Sequence, residues 1–206
     1  VEHTVTEEVT GVDLVQAQLR LAAGARLAEL GLDPAAPPLA RGHAIQWRIN
    51  AETLAADGTA TPGSGRLARF ELAQGPGVRV DTHGRAGTTP SPHYDTLLAK
   101  LIVHAPGPAF ADALRRSRRA LAECRIDGVP TNLALLQALA ERPEMQSQAR
   151  HTRWLEAVLP ELLEVAIKKI STDPDPVPAC ADKSPETQSV NAAEAPAGAV
   201  LAPMPA

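Results

Sequence analysis

The hydrophobic positions change their period several times along the 206 residues, and each change marks an element. Val12, Val15, Leu19 and Ala22 recur at helical spacing, which predicts a helix over residues 12–23 with that stripe on a core. Thr10 and Asp13 supply a Thr-x-x-acid start and Gly24 a stop. A Pro- and Ala-rich loop follows from Asp33 to Ala40. "HAIQWRIN" then alternates, with His43, Ile45, Trp47 and Ile49 on one face and Gln46, Arg48 and Asn50 on the other. "GRLARFEL" and "GVRVDTHG" read as two strands joined by a tight "AQGPG" turn, and "LLAKLIVHA" as a fourth strand. From Pro108 to Cys124 the period returns to 3.6, with Phe110, Ala113, Leu114, Ser117, Leu121 and Cys124 in one stripe. "TNLALLQALAER" reads as a helix with a Thr/Asn cap, stopped before Pro143, and "HTRWLEAVL" as one more short helix. The sum is an α+β domain built on a small antiparallel sheet with packed helices.

Composition changes this picture at the end of the chain. Residues 171–198 hold five prolines among Ala, Ser, Thr and Asp, too little apolar surface to offset ordering entropy, and read as a flexible linker. Five acids and one lysine fall from Ser171 onward, leaving a body with 19 acids and 19 bases. A net charge of −4 argues against whole-protein attraction to nucleic acid or anionic membranes. Cys124 and Cys180 are far apart, with no Cys-x-x-Cys, which suits a reducing compartment and no disulfide framework. No apolar run is long enough for a membrane span, and a cytoplasmic protein is the default expectation.

Three groups could carry chemistry. Glu2, beside His3, is either a general base at a strand end or a solvated acid. Arg48, on the polar face of its strand, either holds bicarbonate, a carboxylate or a phosphate in a bidentate fork or makes a cross-strand salt bridge. Arg115, Arg116, Arg118 and Arg119 form either a patch for an acidic partner or a solvated helix face with internal ion pairs; without interleaved aromatics the second is the better reading. His83, His93 and His104 make no recognisable metal spacing, and Tyr94 and Asp95 are placed to pin a loop. No glycine-rich phosphate loop of standard spacing is present.

Five stretches in order, "VEHTVTEEVTGVDLVQAQLRLAAG", "RGHAIQWRINAE", "GPGVRVDTHGRAG", "YDTLLAKLIVH" and "IDGVPTNLALL", resemble the C-terminal part of biotin carboxylase, the ATP-grasp component of biotin-dependent carboxylases. The resemblance covers about residues 1–160, and "GAVLAPMPA" resembles the opening of a biotinyl carrier domain. It implies that residues 1–32 end an ATP-grasp domain, 39–160 form the biotin carboxylase C-terminal domain, and 199–206 begin the carrier.

The resemblance also implies roles. Glu2 corresponds to the Glu that deprotonates bicarbonate for attack on the γ-phosphate of ATP, with the backbone of Val1 against the same bicarbonate. Arg48 corresponds to the Arg that holds bicarbonate and stabilises the biotin enolate. Arg79 matches an arginine near a subunit interface, implying a homodimer, and Thr152 stands where an apolar residue lies near the adenine. Thr4 and Arg85 depart from a common Pro and a common aromatic residue. Biotin on its carrier, ATP, and Mg²⁺ or Mn²⁺ are the implied cofactors, the metal ligands lying upstream. The implied partners are the biotinyl carrier domain and a carboxyltransferase, most simply of an acyl-CoA carboxylase. The chain, opening without Met inside a functional motif, is expected to be a piece of a larger enzyme and inactive alone. The alternative is a non-catalytic module that binds an acidic partner through the arginine-rich helix.

Overall fold

The computed structural model describes residues 4–91 and 93–171. Val1 and Glu2, Cys180, the linker expected from residue 172 on, and the carrier opening at 199–206 lie outside the described residues.

At the centre is an antiparallel three-stranded sheet in the order β1 (His43–Asn50), β6 (Leu97–Ala105), β5 (Val78–Thr82). The alternation read in "HAIQWRIN" holds: Trp47 and Ile49 are buried on one face, together with Ala99, Leu101 and Val103 of β6. This face is covered by α3 (Phe110–Glu123), whose Leu114, Ala120, Leu121 and Cys124 close the main core. Next to it lies α4 (Leu133–Glu141), which contributes Leu133 and Ala140. Burial pushes the Cys124 thiol up, and its Sγ donates to the carbonyl of Ala120 at 3.2 Å, so it is a protonated core residue.

Ser117 sits in this stripe with no exposure, and its Oγ has no hydrogen-bond partner among the described residues. An orphaned buried hydroxyl is destabilising, and Ala is the better helix former. Ser117→Ala is therefore expected to raise the unfolding free energy by roughly 1 kcal/mol, measured by urea denaturation. A loss of stability would show that the hydroxyl is satisfied after all.

The register of β1 on β6 slips between Ile49 and Asn50, where Ile49 faces Ala99 but Asn50 faces Leu97. The skipped Leu98 turns into a separate small core with Ala51, Leu67 and Val129. Two short ladders complete the sheet structure: β2 (Glu52–Leu54) with β3 (Ala60–Pro62), and β4 (Arg69–Glu71) with β7 (Arg125–Asp127).

Several expectations need correction. β4 and β5 do not form a hairpin across "AQGPG": β4 pairs with β7, setting Phe70 against Ile126, and β5 pairs with β6. Turn residues identified a turn but not which strands it would join, because partner choice is made by packing. Residues 4–10 form a helix, α1 (Thr4–Thr10), so Thr10 ends one helix instead of opening the next. The following helix, α2 (Leu14–Ala22), is capped by Asp13, whose side chain accepts from Gln16 N. The α2 stripe does not face a core among the described residues: Val15 is 56% and Leu19 68% exposed, and Ala17 is the buried position.

The last helix is also longer than its sequence suggested. After the short α5 (Pro143–Ser147), α6 runs from Trp154 to Ser171 straight through Pro160. An interior proline costs on the order of 3 kcal/mol. Burial of Leu159, Leu162 and Ala166 against Leu135 and Ala138 of α4 offsets it.

Candidate functional site

The side of the central sheet opposite the main core is charged. Register places Arg48 of β1 opposite Lys100 of β6, and Lys100 opposite Asp81 of β5, so these three share one face. Gln46, Ile102 and Arg79 form the neighbouring row. α1 lies over this second row, with Ile102 fully buried and Thr4 Oγ1 donating to Gln46 Oε1. Arg79 forks onto Asp81, Nε to Oδ1 at 2.8 Å and Nη2 to Oδ2 at 2.9 Å, and reaches Glu7 at 2.8 Å and Glu8 at 3.4 Å. The Asp81 fork, followed by Glu7, holds the Arg79 guanidinium protonated well above its ordinary range. A cleft of about 630 Å³ opens between α1, the start of α2 and this face, lined by Thr4, Glu7, Asp13, Asp81 and Lys100 among others.

Arg48 is half-buried, and its Nη2 donates to Asp95 Oδ2 at 3.2 Å. Asp95 is itself fixed: its Oδ1 accepts from Leu97 N at 3.0 Å, a side-chain turn that stations it at the entrance to β6. The reading of Asp95 as a loop pin therefore holds. Tyr94, paired with it in that reading, is 81% exposed. Arg48 thus offers a planar, permanently charged group, oriented by a carboxylate, on the open side of a sheet; this chemistry suits a small planar anion.

Around Arg48 lies a polar cluster that sequence reasoning did not assemble. Glu52 is buried and accepts from Asn50 Nδ2 at 3.0 Å and from Thr96 Oγ1 at 2.9 Å. Asn132 was read as a helix cap, but its side chain makes no cap bond and is turned onto β1 instead. A signal existed for part of this, since the polar alternation of Arg48 and Asn50 continues to Glu52. Nothing local signalled that residue 132 would return to residue 48.

The remaining candidates are not brought to Arg48. Arg79 lies on the far strand of the sheet, tied to α1. Thr152 is exposed on the turn ahead of α6. The arginines of α3 are engaged within the domain: Arg115 with Asp112 at 2.8 Å, Arg119 with Glu123 at 3.4 Å, Arg118 with the carbonyl of Ala140 at 2.8 Å and Arg116 with that of His104. The internally paired face is the reading these contacts bear out. Among the described residues no group of His, Cys, Asp or Glu is placed to hold a metal ion, so the described residues offer no site for Mg²⁺ or Mn²⁺. No helix among them is long and apolar enough to cross a membrane.

The fold is an α+β domain with a charged sheet face, an arginine oriented on it and a helical core behind it, and comparison with known proteins gives it a family. The Biotin carboxylase C-terminal domain family matches residues 46–157, and the family described as Carbamoyl-phosphate synthase L chain, ATP binding domain, matches residues 1–30. The chain belongs to the biotin carboxylase C-terminal domain family. It is 46% identical over 144 residues to a biotin carboxylase of Nostoc, covering 70% of this chain and 30% of that protein. It is 41% identical over 160 residues to the biotin-dependent acyl-coenzyme A carboxylase alpha3 subunit of Mycobacterium leprae, covering 76% and 25%. Among solved structures it resembles the biotin carboxylase domain dimer of the Hydrogenobacter thermophilus 2-oxoglutarate carboxylase, in complex with MgADP and bicarbonate. That likeness has a TM-score of 0.67 and 38% identity over 79% of this chain and 34% of that one. The chain thus spans less than a third of the length of the curated relatives named here.

Proposed function

We propose that this chain is the closing part of a biotin carboxylase module, which carboxylates carrier-bound biotin with bicarbonate at the expense of ATP. The observation that carries the reading is Arg48, held at 3.2 Å by Asp95 on the open face of β1 in a chain of this family. In this reading residues 1–32 end the ATP-grasp domain and 39–160 form the C-terminal domain. Glu2 takes the proton from bicarbonate, the Val1 backbone lies against the same anion, and the bicarbonate oxygen is then free to attack the γ-phosphate. Arg48 holds the bicarbonate and afterwards stabilises negative charge on the ureido oxygen of biotin while its nitrogen takes up CO₂. Both tasks need a fixed planar cation. ATP and its divalent ion would supply the activation of bicarbonate, with their ligands in the upstream half of the module.

The finer reading is an acyl-CoA carboxylase, supported by the Mycobacterium leprae relative. The module then works with a biotinyl carrier domain and a carboxyltransferase, in the cytoplasm. A homodimer joined near Arg79 is supported by the dimeric biotin carboxylase domain of the Hydrogenobacter relative. Thr152 stands near the adenine in this assignment.

The test compares the 206-residue chain alone with the complete carboxylase, following bicarbonate-dependent ATP hydrolysis and label transfer from bicarbonate to biotin. The complete enzyme is expected to do both and the chain alone neither. Activity of the isolated chain would refute its assignment as the closing part, and an inactive complete protein would remove the carboxylase reading itself.

A further inference from the structure

Resting on the assignment of Arg48 to the reaction, we propose that Asn132 and Glu52 are positioning residues that act through Arg48, Asn132 by fixing its main chain and Glu52 by fixing the turn that carries Asp95. β1 is an edge strand of the central sheet, with β6 on one side only. An edge strand presents outward-pointing N–H and C=O groups with no ladder partner. At Arg48 and Asn50, three of these groups are taken by Asn132. Its Nδ2 donates to the carbonyl of Arg48 at 3.1 Å, its Oδ1 accepts from Asn50 N at 3.0 Å, and its own N–H donates to the carbonyl of Asn50 at 3.2 Å. A carbonyl must face the amide NH₂ and an N–H must face its oxygen, so the orientation of the amide follows from its partners. One side chain therefore stands in for a missing strand, at the point where the register on the other side slips between Ile49 and Asn50.

The second arm works on the guanidinium end. Glu52 accepts from Asn50 Nδ2 on β1 and from Thr96 Oγ1, the residue next to Asp95, and Ala51 N donates to the carbonyl of Thr96 at 2.7 Å. A ring of contacts results: Arg48 to Asp95, along the chain to Thr96, across Glu52 to Asn50, and back along β1 to Arg48. Being buried, Glu52 is shielded from competing water. The two ends of the Arg48 side chain are thereby referred to one rigid frame, the condition for holding a reacting group to within a fraction of an ångström. Their proposed effect is on where Arg48 sits.

The experiment is a double-mutant cycle in the complete carboxylase, with kcat/KM for bicarbonate in biotin carboxylation as the readout. Misplacement of a catalytic group by about 1 Å costs up to about a hundredfold, so Asn132→Ala is expected to lower this constant by about tenfold to a hundredfold. In the Arg48→Ala background the same substitution is expected to change nothing beyond about twofold. Equal losses in both backgrounds mean that Asn132 serves only stability, and the proposal fails. If Arg48→Ala by itself leaves carboxylation intact, the assignment of Arg48 falls instead, and the two failures are told apart. Should Asn132→Ala not fold, Thr96→Val leaves every β1 main-chain bond in place and removes the donor to Glu52. It is expected to raise the KM for bicarbonate several-fold with Arg48 present and not in its absence; an unchanged or background-independent KM overturns the proposal.

Discussion

Arg48→Ala in the complete carboxylase is expected to lower biotin carboxylation by roughly two to three orders of magnitude and to leave the fold intact. The size follows from what a preorganised donor facing developing negative charge contributes, about 3–4 kcal/mol. The intact fold follows from position. Arg48 is half-exposed on the polar side of an edge strand, and its ion pair with Asp95, itself 62% exposed, contributes no more than about 1 kcal/mol to stability. Arg48→Lys is expected to recover little, because an ammonium cannot reproduce a planar fork. Asp95→Asn keeps the turn and removes only the charge that orients the guanidinium, so its loss should be smaller, about tenfold. Label transfer from bicarbonate to biotin, with circular dichroism as the control for folding, decides the matter. Wild-type rates in Arg48→Ala would sink the functional reading.

Gly128→Ala is expected to cost much of the domain's stability. Gly128 has φ +93°, a conformation that L side chains rarely adopt, and an added Cβ would lie 2.0 Å from the carbonyl oxygen of Arg66 and 2.7 Å from the nitrogen of Ala68. Both neighbours are backbone and cannot rotate away. They belong to the segment that leads into β4, whose partner β7 ends just before Gly128. Backbone strain of about 1–3 kcal/mol and a clash of similar size together predict a loss of at least about 3 kcal/mol in urea denaturation. The turn at Gly128 also sets the path of Val129–Thr131, which delivers Asn132 to the edge of β1. Gly128→Ala is therefore expected to lower stability and the carboxylation rate together, unlike Arg48→Ala, which separates them. A loss of less than about 1 kcal/mol would mean that the turn relaxes freely.

Much of the domain could be read from local pattern. β1 and α3 announce themselves because one face of each is apolar and buried, so period and burial coincide, and β6 because it is a nearly continuous apolar run buried on both faces. The sequence reads as a short helix over "HTRWLEAVL", whereas α6 continues through Pro160 to Ser171, because a proline's cost is local while the packing of Leu162 and Ala166 on α4 is not. The α2 stripe was read as core-facing, yet Val15 and Leu19 are exposed among the described residues; amphipathicity states that a face is apolar without stating what covers it. At the site, Arg48 was visible as a polar residue on an alternating strand, and Asp95 as the pin of a loop. Their meeting was not, since it joins residues 47 positions apart. Asn132 is the sharper case. As the residue before a helix, its type is explained by capping, and the sequence held no reason to look for a second use 84 residues away.

The small core between α4 and α6 has a dynamic consequence. Leu159, Leu162 and Ala166 form a cluster separate from the one beneath β1 and β6, so most of α6 is fastened along α4 and against Leu54 of β2, and Trp154 at its start packs on the main core. Opening of the later turns of α6 would therefore break the contacts of Leu162 and Ala166 on α4 and leave the pairing of β1 with β6 in place. The end of α6 is thus expected to exchange its amide hydrogens faster than the strand that carries Arg48, since it can open locally without disturbing the central sheet.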